Sequence, residues 1–78
     1  MSRKQIEEAV RTSLEAYFRD LRGAEPDALY DMVLRAVEKP LLDVVMQHAQ
    51  GNQSRAAEWL GLNRNTLRKK LVEHKLVK

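Results

Sequence analysis

The sequence predicts an all-α fold of four helices, two long and then two short. Apolar residues recur at steps of three and four from Ile6 onward, the period of a helix with one buried face. Glycine stands just past each of the first three stripes, as helix C-termini require. No run alternates at the period of two that a half-buried strand would show.

Seventy-eight residues make a single domain, 1–78, small enough to need a staple, a metal or a partner chain. Cysteine is absent, which excludes disulfides and thiolate zinc sites. His48 and His74 are too widely separated to form a metal cage by themselves, so no metal and no cofactor are expected. A partner chain is the leading staple.

Ile6, Val10, Leu14, Tyr17, Phe18 and Leu21 form one stripe, opposite Glu7, Glu8, Arg11, Glu15, Arg19 and Arg22. The first helix is therefore expected from about residue 4 to about residue 22, with Gly23 as its C-cap. The second is expected to start near Pro26, whose missing N–H suits a first helical turn, with Asp27 at the positive end of the dipole. From Leu29 to Ala49 it is apolar on more than one face: Leu29, Val33, Val37, Leu41, Val44 and Val45, then Tyr30, Leu34, Leu42 and Met46. A surface helix needs one such stripe, so this helix is read as packed by its own chain on one side and by another body on the other. Pro40 removes a backbone hydrogen bond and crowds the carbonyl of Ala36, but the pattern resumes at once, which predicts a kinked, continuous helix. Gly51 is the expected C-cap.

Two short helices come next. Asn52 is read as the N-cap of the first, with Ala56, Ala57, Trp59 and Leu60 as its apolar side and Gly61 as its end. Asn63 is read as the cap of the second, with Leu67, Leu71 and Leu76 turned inward. Ala57, three residues and then Gly61 provide the small residue and the turn glycine that a helix-turn-helix corner needs, pinned by Leu60, Leu62 and Leu67. Residues 1–50 thus read as dimerisation helices and 51–78 as the helix-turn-helix part.

Charge divides along the same line. Residues 1–50 carry 7 Lys/Arg against 9 Asp/Glu, a balance of −2, whereas residues 51–78 carry 7 against 2, a balance of +5. One half builds a scaffold and the other meets a polyanion. The outward residues of the last helix are Asn63, Arg64, Asn65, Thr66, Arg68, Lys69 and Lys70. Arg64 and Arg68 lie one turn apart and can face one groove, where the arginine fork matches guanine O6 and N7. Asn63 and Asn65 suit adenine edges or phosphates; Thr66, Lys69 and Lys70 suit phosphates, as do Ser54 and Arg55 near the N-terminus of the preceding helix.

Other residues have plainer readings. Trp59 is placed in the core, His48 at the surface or an interface, and Met32 and Met46 as gap-fillers. His74 has no evident acid–base partner, and Ser13 and Ser54 have no nearby histidine, so the chain is read as not an enzyme. No segment reaches the roughly 18 apolar residues of a membrane span, and MSRKQIEEAV lacks the apolar core of a signal peptide. No membrane association and a cytoplasmic location are expected.

The stretch PLLDVVMQHAQGNQSRAAEWLGLNRNTLRKKL resembles the C-terminal half of the Fis family. AYF in the first helix and ALYDMVLRAVEKPLL across the central proline are similar to it too, so the resemblance runs from about residue 4 to about residue 74. It implies an intertwined homodimer of four-helix chains, a nucleoid-associated protein and transcription regulator that binds double-stranded DNA. It further implies recognition helices closer together than successive major grooves, so that DNA bends and flexible or A/T-rich centres are favoured. Carried over residue by residue, Arg64 falls at a guanine and Asn63 and Arg68 near base edges. Asn52, Ser54, Arg55, Thr66 and Lys69 match phosphate contacts, with Lys70 towards the flanks. Three departures stand out. The family's N-terminal arm, which touches invertases, has no counterpart, so invertase contact is not expected. Val72 and Glu73 replace lysines, which predicts weaker contacts to flanking DNA. Asn65 stands where glycine is common.

Two other readings remain open on the sequence. NtrC-like activators share this helix-turn-helix, so the chain could be such an activator's detached DNA-binding domain; Met1, the complete first helix and EKPLL count against that. A helical module that dimerises through protein contacts alone would show no salt-dependent affinity for DNA. Contact with RNA polymerase is also left open.

Overall fold

The computed structural model describes residues 2–77. Its described residues form four α-helices and no strand: α1 (Arg3–Leu21), α2 (Leu29–His48), α3 (Gln53–Leu60) and α4 (Arg64–Glu73). The all-α reading is borne out.

The start of α1 is fixed by a reciprocal pair that helical periodicity alone does not reveal. The Ser2 hydroxyl accepts from the Gln5 N–H at 3.3 Å, and the Gln5 side chain accepts from the Ser2 N–H at 2.9 Å, which satisfies two orphan donors of the first turn. Its end differs by one residue from expectation. Arg22, not Gly23, takes the left-handed C-cap position at φ 53°, and Gly23 comes after it at φ 88°.

The expected start of α2 at Pro26 is corrected. Ala28 sits in the left-handed region at φ 50°, which helical backbone does not tolerate, so the helix begins at Leu29. Ala28 has no side chain able to cap the first turn; its carbonyl alone accepts from Met32 N–H, at 3.1 Å. α2 then runs unbroken through Pro40 for 20 residues. At its far end Gln50 takes the left-handed turn at φ 55°, one residue ahead of Gly51, and Gly51 N–H closes back on Met46 O at 3.0 Å. The glycine read as the C-cap is thus the second residue of the closing turn.

The core lies at one end of the molecule. Leu42, Ala49, Ala56, Ala57, Leu67 and Leu71 are buried, with Val45, Met46, Leu60, Leu62, Leu76 and Val77 packed around them. All lie in the last third of α2 or in the chain beyond it. α1 buries no residue, and α2 buries only Leu42. Between α1 and α2 runs an open apolar groove of about 370 Å³, lined by Ala9, Val10, Ser13, Leu14, Tyr17, Met32, Val33, Ala36 and Val37. Trp59 is a second correction. It is 56% exposed on α3, not in the core.

The chain is long for its mass. Its radius of gyration is 14.9 Å, against about 11.5 Å for a compact domain of this length. Its accessible surface is 6558 Å², roughly 1,700 Å² more than a compact monomer of this mass exposes.

Candidate nucleic-acid interface

α3 and α4 meet through a corner built from small residues. Ala56 and Ala57 are buried, so the two backbones approach closely. Gly61 supplies the left-handed turn at φ 72°, where a side chain would be strained. Leu62 N–H then bonds to Ala57 O at 2.9 Å, closing α3. Two residues later α4 begins.

Each of the two helices starts on an asparagine, as expected. Asn52 Oδ1 accepts from Arg55 N–H at 3.0 Å, and Asn63 Oδ1 accepts from Asn65 N–H at 2.8 Å. Capping engages the carbonyl half of each side chain and leaves the NH₂ half as the free donor. A bidentate grip on adenine would require Asn63 Oδ1 to be shared with the cap.

α4 separates its two faces cleanly. Leu67 and Leu71 are fully buried, while Arg64, Asn65, Thr66, Arg68 and Lys69 are exposed. Asn65, Arg68 and Lys69 line a shallow surface groove with Val72 and Glu73. Ser54 and Arg55 are also exposed, on the first turn of α3. Nine of the ten residues expected at the DNA therefore lie on the surface, distributed over the start of α3 and the outer face of α4.

Lys70 stands apart. Its Nζ lies 2.9 Å from Glu38 Oε2, and His74 Nε2 lies 2.8 Å from Glu38 Oε1. Hydrogen bonds from Lys70 and then His74 hold the Glu38 carboxyl below its ordinary value, against the opposing effect of burial. His74 therefore does have an acid partner, 36 positions earlier in the chain. Local spacing could not show it. Among the described residues there is no group of three or more His, Cys, Asp or Glu able to hold a metal, and no helix is long and apolar enough to cross a membrane.

Two short helices, a glycine corner and a polar outer face define a helix-turn-helix protein. Residues 33–74 match the family described as bacterial regulatory protein, Fis family. Over 77 residues the chain is 58% identical to a Fis-like DNA-binding protein of Ralstonia nicotianae, covering 99% of this chain and all of that one. A Fis-like DNA-binding protein of Neisseria meningitidis serogroup A is 60% identical over 72 residues, 92% of this chain and 91% of the relative. The DNA-binding protein Fis of Photobacterium profundum is 49% identical over 74 residues, 95% of this chain and 76% of its own length. The chain belongs to the Fis family.

Proposed function

We propose that the protein is a homodimeric, nucleoid-associated transcription regulator that binds and bends double-stranded DNA, reading the major groove with α4. The observation that carries this is the division of α4, with Leu67 and Leu71 buried and Arg64, Asn65, Thr66, Arg68 and Lys69 outward. Arg64 and Arg68 take base edges, Arg64 at a guanine. Thr66, Lys69, Ser54 and Arg55 take phosphates, and the free amide donors of Asn52 and Asn63 reach the backbone or a base acceptor. Lys70, bound to Glu38, contributes least. The names of the relatives, all DNA-binding proteins, support the choice of ligand.

Dimerisation is supported by what one copy leaves uncovered. Tyr30 is 79% exposed, and Leu34, Val37, Leu41 and Val44 are also exposed along α2. Doubled, the surplus of roughly 1,700 Å² per chain falls in the range of permanent homodimer interfaces. Two α4 helices on such a particle would meet one duplex together, and a spacing shorter than a helical turn bends it.

A gel-shift titration on circularly permuted duplexes, run beside analytical ultracentrifugation, tests the whole reading. It predicts one dimer per site, mobility that depends on site position, and affinity that falls steeply as salt rises. Indifference to duplexes at low ionic strength, or a folded monomer at low micromolar concentration, would refute it.

A further inference from the structure

Glu38 sits on the scaffold helix, yet it makes both side-chain ion pairs that link distant parts of the described chain. Its two carboxylate oxygens are divided between two donors one turn apart at the end of α4: Oε2 takes Lys70 Nζ, and Oε1 takes His74 Nε2. The His74 side chain is only 8% exposed, so this arm is shielded from water. Around the cluster α2 also presents Asp31 and Arg35, which bind each other at 3.1 Å, and α4 presents Glu73.

α4 is otherwise held by apolar contacts through Leu67 and Leu71. Such contacts are non-directional and resist rotation of a helix about its own axis weakly. Two charge-assisted bonds to one carboxylate are directional and fix that rotation. The angle matters, because a turn of about 10° displaces a side-chain tip roughly 6 Å from the axis by about 1 Å. That displacement is enough to spoil a hydrogen bond to a base edge.

Resting on the reading of α4 as the groove-entering helix, we propose that Glu38 is a positioning residue for base recognition. It clamps Lys70 and His74 so that Arg64 and Arg68 are presented at the correct angle. The clamp also withdraws Lys70 from the phosphate contacts, which keeps sequence-independent binding low.

The test compares E38Q with D43N, which removes the same charge from an exposed position of the same helix away from the clamp, and H74F with H74Q, in which the amide restores a donor. The probes are the tightest duplex selected from a random pool and an unselected random duplex, each titrated over a range of salt at temperatures where circular dichroism shows every variant folded. E38Q and H74F should lower the ratio of selected to random affinity on the order of tenfold. H74Q should recover most of it, and D43N should leave the ratio unchanged. E38Q alone should steepen the salt slope on random duplex by about 0.9 per chain, as Lys70 is released to a phosphate. Equal behaviour of E38Q and D43N, or an unchanged ratio in H74F, would overturn the clamp while leaving α4 as the reading helix. An unmodified protein that ignores both duplexes would overturn the reading of α4 itself, and the clamp with it.

Discussion

Residues 3–41 and residues 42–77 are built on opposite terms. The second stretch is a finished object, in which four leucine and alanine positions of α3 and α4 close over Leu42 and Ala49 with small residues at the corner and a capping side chain at each helix start. The first has more helix and no buried side chain. Its apolar residues are as numerous, but they line an open groove or face outward. The difference teaches that hydrophobic content does not make a core. Geometry must bring a second surface, and for α1 and the first turns of α2 that surface belongs to another molecule in the proposed assembly.

The contrast can be broken most directly at Leu34, which is 50% exposed. In the proposed dimer, Leu34→Asp would bury an uncompensated charge at a cost of about 3–5 kcal/mol, seen as dissociation in sedimentation and loss of helix. A monomer with a free α2 face would tolerate the change within about 0.5 kcal/mol. Leu67→Ala attacks the other half and should cost about 2–5 kcal/mol in chemical denaturation, with no change in the exposed apolar face of α2. An intermediate effect is expected at the interface with DNA. Arg64→Ala should lose about 1–3 kcal/mol per half-site on a selected duplex and much less on random DNA, whereas Lys69→Ala should weaken both alike and lower the salt slope by about 0.9 per chain. Equal losses for Arg64→Ala on the two duplexes would remove its base-reading role.

The junction between the halves should respond to acid. Glu38 is held below its ordinary carboxyl value, 4.5, chiefly by Lys70 and then by His74. Its contribution to stability is therefore complete above that value and is lost as pH falls through the lower folded-state value. The unmodified protein should melt above E38Q at neutrality, and the difference should shrink below about pH 4.5. The smallest effect is expected at Ala28, whose left-handed backbone disfavours a side chain. Ala28→Gly should stabilise by about 0.5–1 kcal/mol, read as a small rise in melting temperature.

What the sequence disclosed tracks the range of the interactions involved. Asn52, Gly61 and Asn63 act within two to four residues of themselves, and their roles as caps and turn were legible for that reason. The inward Leu67 and Leu71 came from helical period. Trp59 did not. On a helical wheel it falls about 110° from the centre of the Ala56–Ala57–Leu60 face, and that centre is chosen by α4 and α2, which pack against it from elsewhere in the chain. Ala28 escapes notice because nothing local forces alanine into a left-handed turn. The Glu38 cluster joins residues 32 and 36 positions apart, a relation with no signature in any window of the chain. Lys70 consequently looks, in sequence, like its neighbours on the outer face of α4.

The two asparagine caps have a consequence for the moment of contact with a ligand. Because each Oδ1 is already tied to a backbone amide, the rotamer of Asn52 and of Asn63 is chosen before anything approaches, and each NH₂ waits in a fixed direction. Immobilising a free polar side chain on association costs about 0.5–1.5 kcal/mol. These two have lost that freedom during folding, so the same atoms that start the helices also arrive pre-aimed.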